Sequence, residues 1–85
     1  MLERIRGSKN RVVGIKQTRK AIKEGKAQLV YLAKDVDAHL YNEIEELCQE
    51  NHVDLCYVDT MKELGESCGI DIKAASAVLL KEMGS

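Results

Sequence analysis

Proline, tryptophan and phenylalanine are absent from this 85-residue sequence, and three tyrosines are its only aromatics. Without proline, glycines and capping side chains must supply all of the punctuation along the chain. So few rings exclude the row of stacked aromatics on which sequence-indifferent single-strand binders depend. No apolar run approaches the roughly 20 residues of a membrane helix. The N-terminus shows no signal-peptide pattern, so a cytoplasmic protein with no membrane partner is expected. Cys48, Cys56 and Cys68 are odd in number and lack C-x-x-C spacing. They read as small buried hydrophobes in a reducing compartment, not as a disulfide framework or a zinc site. His39 and His52 are the available bases for a catalytic thiol, but no local motif pairs them with one. No paired carboxylates, nucleophile–base set or ligand cluster has the spacing of an active site. Neither an enzyme nor a metal or other cofactor is therefore expected.

A chain of this length is expected to form one domain spanning residues 1–85. Residues 1–9, MLERIRGSK, read as a short N-terminal arm or frayed helix. The net charge of −1 conceals a strong polarity. Residues 1–26 hold nine cations against two carboxylates, a net of +7, and residues 27–85 hold four against twelve, a net of −8. A cationic end on an acidic body can steer one face towards phosphate. The bland alternative is that the two halves neutralise one another inside the molecule.

Strand and helix signals alternate. Residues 11–15 read as a first strand and 16–24 as a helix that Gly25 closes in the left-handed position. The apolar run QLVYLA at 28–33 predicts a central strand covered on both faces. After a turn at 34–37, where Asp35 or Asp37 can serve as N-cap, residues 38–50 form the clearest helix. Leu40, Ile44, Leu47 and Cys48 make its buried stripe, and Asn42, Glu43, Glu45, Glu46, Gln49 and Glu50 make a solvated face. Asn51 is expected to end it in a left-handed conformation. A third strand follows at 53–58. Thr60 and Glu63 make a T-x-x-E capping box for a helix that runs to Cys68, seated by Met61, Leu64 and Cys68 and stopped by Gly69. Residues 74–80 read as the fourth strand and 81–85 as a tail. This order predicts an α/β fold, a three-layer α/β/α sandwich around a mixed four-stranded sheet.

Two stretches carry chemistry. In the first, Lys16, Arg19, Lys20 and Lys23 fall on one helical face, opposite Thr18, Ala21 and Ile22. Free backbone N–H groups at the start of that helix suit a phosphate, and Gly14 permits close approach because it has no Cβ. Gln17 offers a donor and an acceptor to a base edge, and Lys16 offers donors. The pattern suits a nucleic-acid site with Lys16 and Gln17 on bases and Arg19, Lys20 and Lys23 on phosphates. A solvated basic helix face is the common alternative. The second stretch is Ile70, Asp71, Ile72, Lys73 and Ala74. Two large apolar residues in a loop either tuck into the core or form a wedge that packs on a splayed-out base, with Lys73 beside it for phosphate.

Gly14-x-Lys16-Gln17-x-x-Lys20, AKDVD at 33–37 and LGESCGI at 64–70 occur in one order. With them the chain resembles the kink-turn RNA-binding ribosomal proteins of the L-seven-Ae family, its small bacterial branch above all, over roughly residues 9–82. The resemblance implies an α/β/α sandwich and a single RNA-binding domain. It also implies recognition of kink-turns, duplexes bent at a three-nucleotide bulge beside tandem sheared G·A pairs. On this resemblance Gly14 permits the close approach, Lys16 and Gln17 read guanine edges, Lys20 pairs with phosphate and Lys34 faces RNA. Residues 70–74 would pack on the extruded nucleotide. Relatives from archaea and eukaryotes usually carry Asn-Glu where this chain has Lys16-Gln17, a pair common in the bacterial branch. The expected partner is a kink-turn in ribosomal or regulatory RNA, with the ribosome as a candidate assembly and a monomer as the expected state. A protein-interaction module of the same fold, with RNA binding weakened or lost, is the alternative.

Overall fold

The structure, a computed structural model, describes residues 10–81, so the expected arm at 1–9 and the tail beyond Lys81 lie outside it. Strands and helices alternate as β1 (Arg11–Val13), α1 (Ile15–Lys23), β2 (Ala27–Ala33), α2 (Ala38–Glu50), β3 (Asp54–Val58), α3 (Met61–Ser67) and β4 (Ser76–Leu80). Among the described residues no helix is long and apolar enough to cross a membrane.

The four strands form one mixed sheet in the order β1-β4-β2-β3. β4 runs antiparallel to both of its neighbours, and β2 pairs with β3 in parallel. A parallel pair needs a crossover, which α2 supplies. β2 is the central strand, and of its seven residues only Gln28 is exposed. Its alternation splits the core in two. Leu29, Tyr31 and Ala33 face Leu64 of α3 and Cys68 at its C-cap, while Val30 and Leu32 face Ile22 of α1 and Ile44 of α2. The three-layer sandwich is thus the one the alternation of elements predicts, with α1 and α2 on one face and α3 on the other. A register shift between Ala27 and Leu29 bulges Gln28 out of the ladder. Because a bulge resets the period of two, Ala27 lands on the same face as Val30 and packs beneath α1.

Each of the three helices ends in the same reversal. The backbone N–H groups of Gly25, His52 and Gly69 bond back to Ile22, Gln49 and Glu66, and the next residues, Lys26, Val53 and Ile70, bond to Ala21, Cys48 and Gly65. This is the Schellman pairing, which places the first of each pair in the left-handed region. Gly25 (φ 70°) and Gly69 (φ 74°) adopt it as expected. At the end of α2 the expected residue was Asn51, but His52 takes the positive φ (56°). Asn51 remains the cap, with φ −105°, and its Nδ2 donates to the Leu47 carbonyl. The N-terminal caps are as expected for Asp37, which accepts from the His39 N–H, and for Thr60, which accepts from the Glu63 N–H. Asp35 instead accepts the Met61 N–H and ties the turn after β2 to the start of α3.

Three other boundaries differ from expectation. Ile15 opens α1 instead of closing β1, because Gly14 at φ 115° turns the chain before it. Ala74 and Ala75 precede β4, since the Ala74 N–H is spent on the Met61 carbonyl and not on the ladder. On α2, Leu40 and Leu47 are half-buried, leaving Ile44 and Cys48 as its buried residues. Burial pushes the Cys48 thiol up to about 11, in keeping with an inert core cysteine.

Left-handed backbone is strained for any residue with a Cβ. His52→Gly is therefore expected to raise stability by about 0.5–1 kcal/mol. Thermal unfolding would show this as a Tm several degrees higher, with binding properties unchanged.

Candidate nucleic-acid interface

The start of α1 is fixed by three hydrogen bonds, two of which reach the sheet at Ser76. The Gly14 N–H donates to the Ser76 carbonyl at 2.8 Å. The Thr18 hydroxyl donates to the Gly14 carbonyl at 2.7 Å and lies 2.7 Å from the Ser76 hydroxyl. Since the Thr18 proton is committed to Gly14, Ser76 is the donor of that pair. Both side chains are fully buried. The first turn of α1 has no side-chain cap and no acidic residue, so its leading N–H groups point outward without a protein partner. A Cβ on Gly14 would meet nothing within 4 Å. Its φ of 115° requires glycine, and the space above it is open to a ligand.

Lys16, Gln17, Lys20 and Lys23 are exposed, and Thr18, Ala21 and Ile22 are buried, as the spacing predicts. Lys20 and Lys23 occupy the last turn, where a cation suits the helix dipole. They stand roughly 6 and 10 Å further along the axis than Lys16. A groove of about 690 Å³ runs beside this face, with Val12, Ala21 and Leu80 among its apolar residues and Lys16, Lys20 and Lys23 among its cations.

Arg19 does not join that row. Its guanidinium grips Glu43 of α2 through two hydrogen bonds, one of them 2.8 Å from Nη2 to Oε1. Those bonds hold the Glu43 carboxyl below the usual carboxylate range and raise Arg19 above its ordinary value. The clamp is complete at neutral pH and is lost as pH falls through the lowered Glu43 value. The expectation that Glu43 is merely solvated is corrected here, because the α1–α2 packing brings an opposite charge to it. Glu45, also assigned to the wet face, accepts the Tyr57 hydroxyl. Arg11 is likewise engaged, donating to the Cys68 carbonyl at 2.7 Å, at the end of α3.

The second stretch meets the first at the same end of the sheet. Leu32 pairs with Ser76, and the Ala33 N–H bonds to Ala75. The loop at 70–74, the end of β2 with Lys34, and Gly14 are thereby neighbours. The loop divides its two isoleucines. Ile72 is 73% exposed, whereas Ile70 is half-buried against the α3 side of the core. Asp71 and Lys73 are exposed. Ala74 is 2% exposed, so its side chain is core and not contact surface, a correction that follows from its bond to Met61. Lys34 lies 3.4 Å from Asp59, both well exposed, a pairing weak enough in water to yield to a phosphate.

Two residues that position the site are not apparent from local pattern. Ser76 sits 58 positions from its partner Thr18, beyond any helical or strand period. Gly65 lies inside α3, and a Cβ there would meet the Ile72 carbonyl oxygen at 2.1 Å. A glycine in a helix interior costs about 1 kcal/mol relative to alanine, and that cost was the available signal. Among the described residues no three His, Cys, Asp or Glu side chains converge as a metal site.

The sequence matches the profile of the ribosomal protein L7Ae/L30e/S12e/Gadd45 family over residues 2–85. It is 52% identical over 67 residues to RNA-binding protein TTE2299 of Caldanaerobacter subterraneus subsp. tengcongensis, covering 79% of this chain and 82% of that one. It is 37% identical over 79 residues to RNA-binding protein BH0128 of Halalkalibacterium halodurans, covering 93% and 96%. Among solved structures, the Giardia lamblia 15.5kD RNA binding protein superposes with a TM-score of 0.84 at 20% identity, over 96% of this chain and 69% of that one. At that identity the likeness concerns the fold.

Gly65→Ala is expected to push the 70–74 loop off α3. Because the obstructing atom belongs to the backbone, the clash should outweigh the gain in helix propensity, for a net loss of about 1–3 kcal/mol. Denaturant unfolding measures the loss, and amide shifts confined to residues 70–75 would locate it.

Proposed function

The chain belongs to the ribosomal protein L7Ae/L30e/S12e/Gadd45 family, and on that footing we propose that it is a non-catalytic RNA-binding protein that recognises and stabilises kink-turns. Relatives that carry the name RNA-binding protein support the broader part of this reading. One observation carries the finer part. The uncapped start of α1 with Lys16 and Gln17, and the loop that exposes Ile72, hang from the same strand end at Ser76.

A kink-turn offers two features side by side, guanine edges at sheared G·A pairs and an extruded nucleotide. In the proposed complex, the backbone approaches closely at Gly14 while Lys16 and Gln17 take the guanine edges, contacts worth about 1–3 kcal/mol each. Lys20, Lys23 and Lys34 neutralise phosphates, and Lys73 stands beside the loop for another. Ile72 packs on the extruded nucleotide, with Asp71 and Lys73 flanking it. Ile70 supports the loop from beneath. Arg19 braces the helix through Glu43 and leaves the lysines to meet phosphate. RNA that samples bent and extended forms is shifted to the bent form because the protein binds that form more tightly. A monomeric domain acting in the cytoplasm, on ribosomal or regulatory RNA, fits this reading.

The deciding measurement is a titration at fixed moderate salt with two RNAs, one with intact tandem G·A pairs and one with those pairs changed to Watson–Crick. Preference for the first by about a hundredfold or more is expected, and Lys16→Ala with Gln17→Ala should erase most of it. Equal weak binding to both RNAs would reduce the site to a basic patch.

Salt dependence tests the lysine row and the clamp together. About four phosphate contacts give a log–log slope of roughly −3 to −4. Glu43→Gln should free Arg19 for phosphate and steepen that slope by about one. An unchanged slope would mean that Arg19 stays on α2 with its partner neutralised.

A further inference from the structure

The sheet has two edges, and they are finished differently. β1 is three residues long and carries Arg11, a short cationic edge of the kind that resists unwanted pairing. β3 is five residues, Asp54–Val58, with neither lysine nor proline. Among the described residues nothing pairs with its outer side. Such an edge presents unpaired N–H and C=O groups, a ready template for another chain.

Beside this edge lies a groove of about 410 Å³ between α2 and β3. Val53 and Leu55 contribute its apolar lining, and Glu45, Glu46 and Gln49 its polar one. No lysine or arginine lines it. At one end stands Tyr57, 42% exposed. Its hydroxyl donates to Glu45, and its ring stacks on Tyr41 with centroids 5.7 Å apart. A tyrosine held at both ring and hydroxyl presents contact area with little rotamer freedom left to lose on binding. Asp54, also exposed, opens the strand.

The charges choose the occupant. Nucleic acid is repelled by Glu45, Glu46 and Asp54. A second copy pairing edge to edge would set those carboxylates against their own counterparts, which is destabilising. An extended cationic segment fits. Its backbone can add to the sheet, and alternate side chains can reach the carboxylates. Arginine suits the place better than lysine, because its planar group forks onto carboxylates and stacks on a tyrosine ring. We propose that the open edge of β3, with the groove between it and α2, docks an extended arginine-bearing segment of a partner protein. The surface lies at the opposite sheet edge from β1 and across α2 from the lysine row, so a partner there leaves the start of α1 free. The proposal does not depend on the RNA reading.

The test uses the full chain, isotopically labelled, and a capped peptide of alternating valine and arginine. Amide shifts should cluster at residues 53–58 and on α2 at Tyr41, Glu45 and Glu46. Glu46→Lys should weaken the peptide by about tenfold and Tyr57→Ala by several-fold. A peptide with glutamate for arginine should not bind, and one N-methylated at alternate residues should lose most of its affinity through lost backbone donors. Shifts centred on α1, equal binding of the N-methylated peptide, or indifference to Glu46→Lys would each overturn the proposal. So would a dimer that excess peptide dissociates, which would put a second copy in the groove. Kink-turn RNA affinity should change little between Glu46→Lys and the parent, and a large rise would assign the groove to RNA instead.

Discussion

The buried hydroxyl pair of Thr18 and Ser76 is the contact from which the geometry of the proposed site follows. Two polar groups without solvent must satisfy each other or be costly to bury. Here they do so by taking the Gly14 carbonyl as the third member. That one arrangement fixes how α1 leaves the sheet, which N–H groups face outward, and where the base of the 70–74 loop stands relative to them. The start of α1 and the loop that carries the exposed Ile72 are therefore parts of one rigid object. Apolar residues at positions 18 and 76 would bury as well but would leave the Gly14 carbonyl and the helix start less determined.

Charge is organised by the same packing. The lysines of α1 are exposed and stay in water, where the proposed site would trade solvent for phosphate. The arginine of that helix faces α2 and is spent on Glu43. The residue types match those roles. A forked guanidinium suits a bidentate carboxylate, and a flexible ammonium suits phosphates whose positions vary. The overall polarity of the sequence is thus partly internal, since Arg11 and Arg19 hold the fold together while the lysines remain available.

How much of this was legible in the sequence depended on the range of the interaction. The alternation of elements, the central strand, and the reversals at Gly25 and Gly69 follow from neighbours a few residues apart, and they can be read from pattern. So can the exposed and buried sides of α1. The Thr18–Ser76 pair, the Arg19–Glu43 clamp and the burial of Ala74 join residues from different elements, and no local period encodes them. The bulge at Gln28 is hidden for a related reason, because in a fully covered strand both faces are apolar and no alternation exists to be broken. The glycine in α3 was visible as an oddity, but its purpose is clear only once the Ile72 carbonyl is seen lying against it.

The strand order has a consequence in time as well as in space. β4 is inserted between β1 and β2, although it is the last of the described strands to be synthesised. Until it arrives, β1 has no neighbour, α1 has no Ser76 to rest on, and the two halves of the proposed site have nothing in common to hang from. A nascent chain emerging from the ribosome thus carries all the lysines of α1 long before it can present them in register. Completion of the sheet is what brings the two halves of the proposed site together, so a chain that lacks β4 holds the basic segment without the frame that orients it.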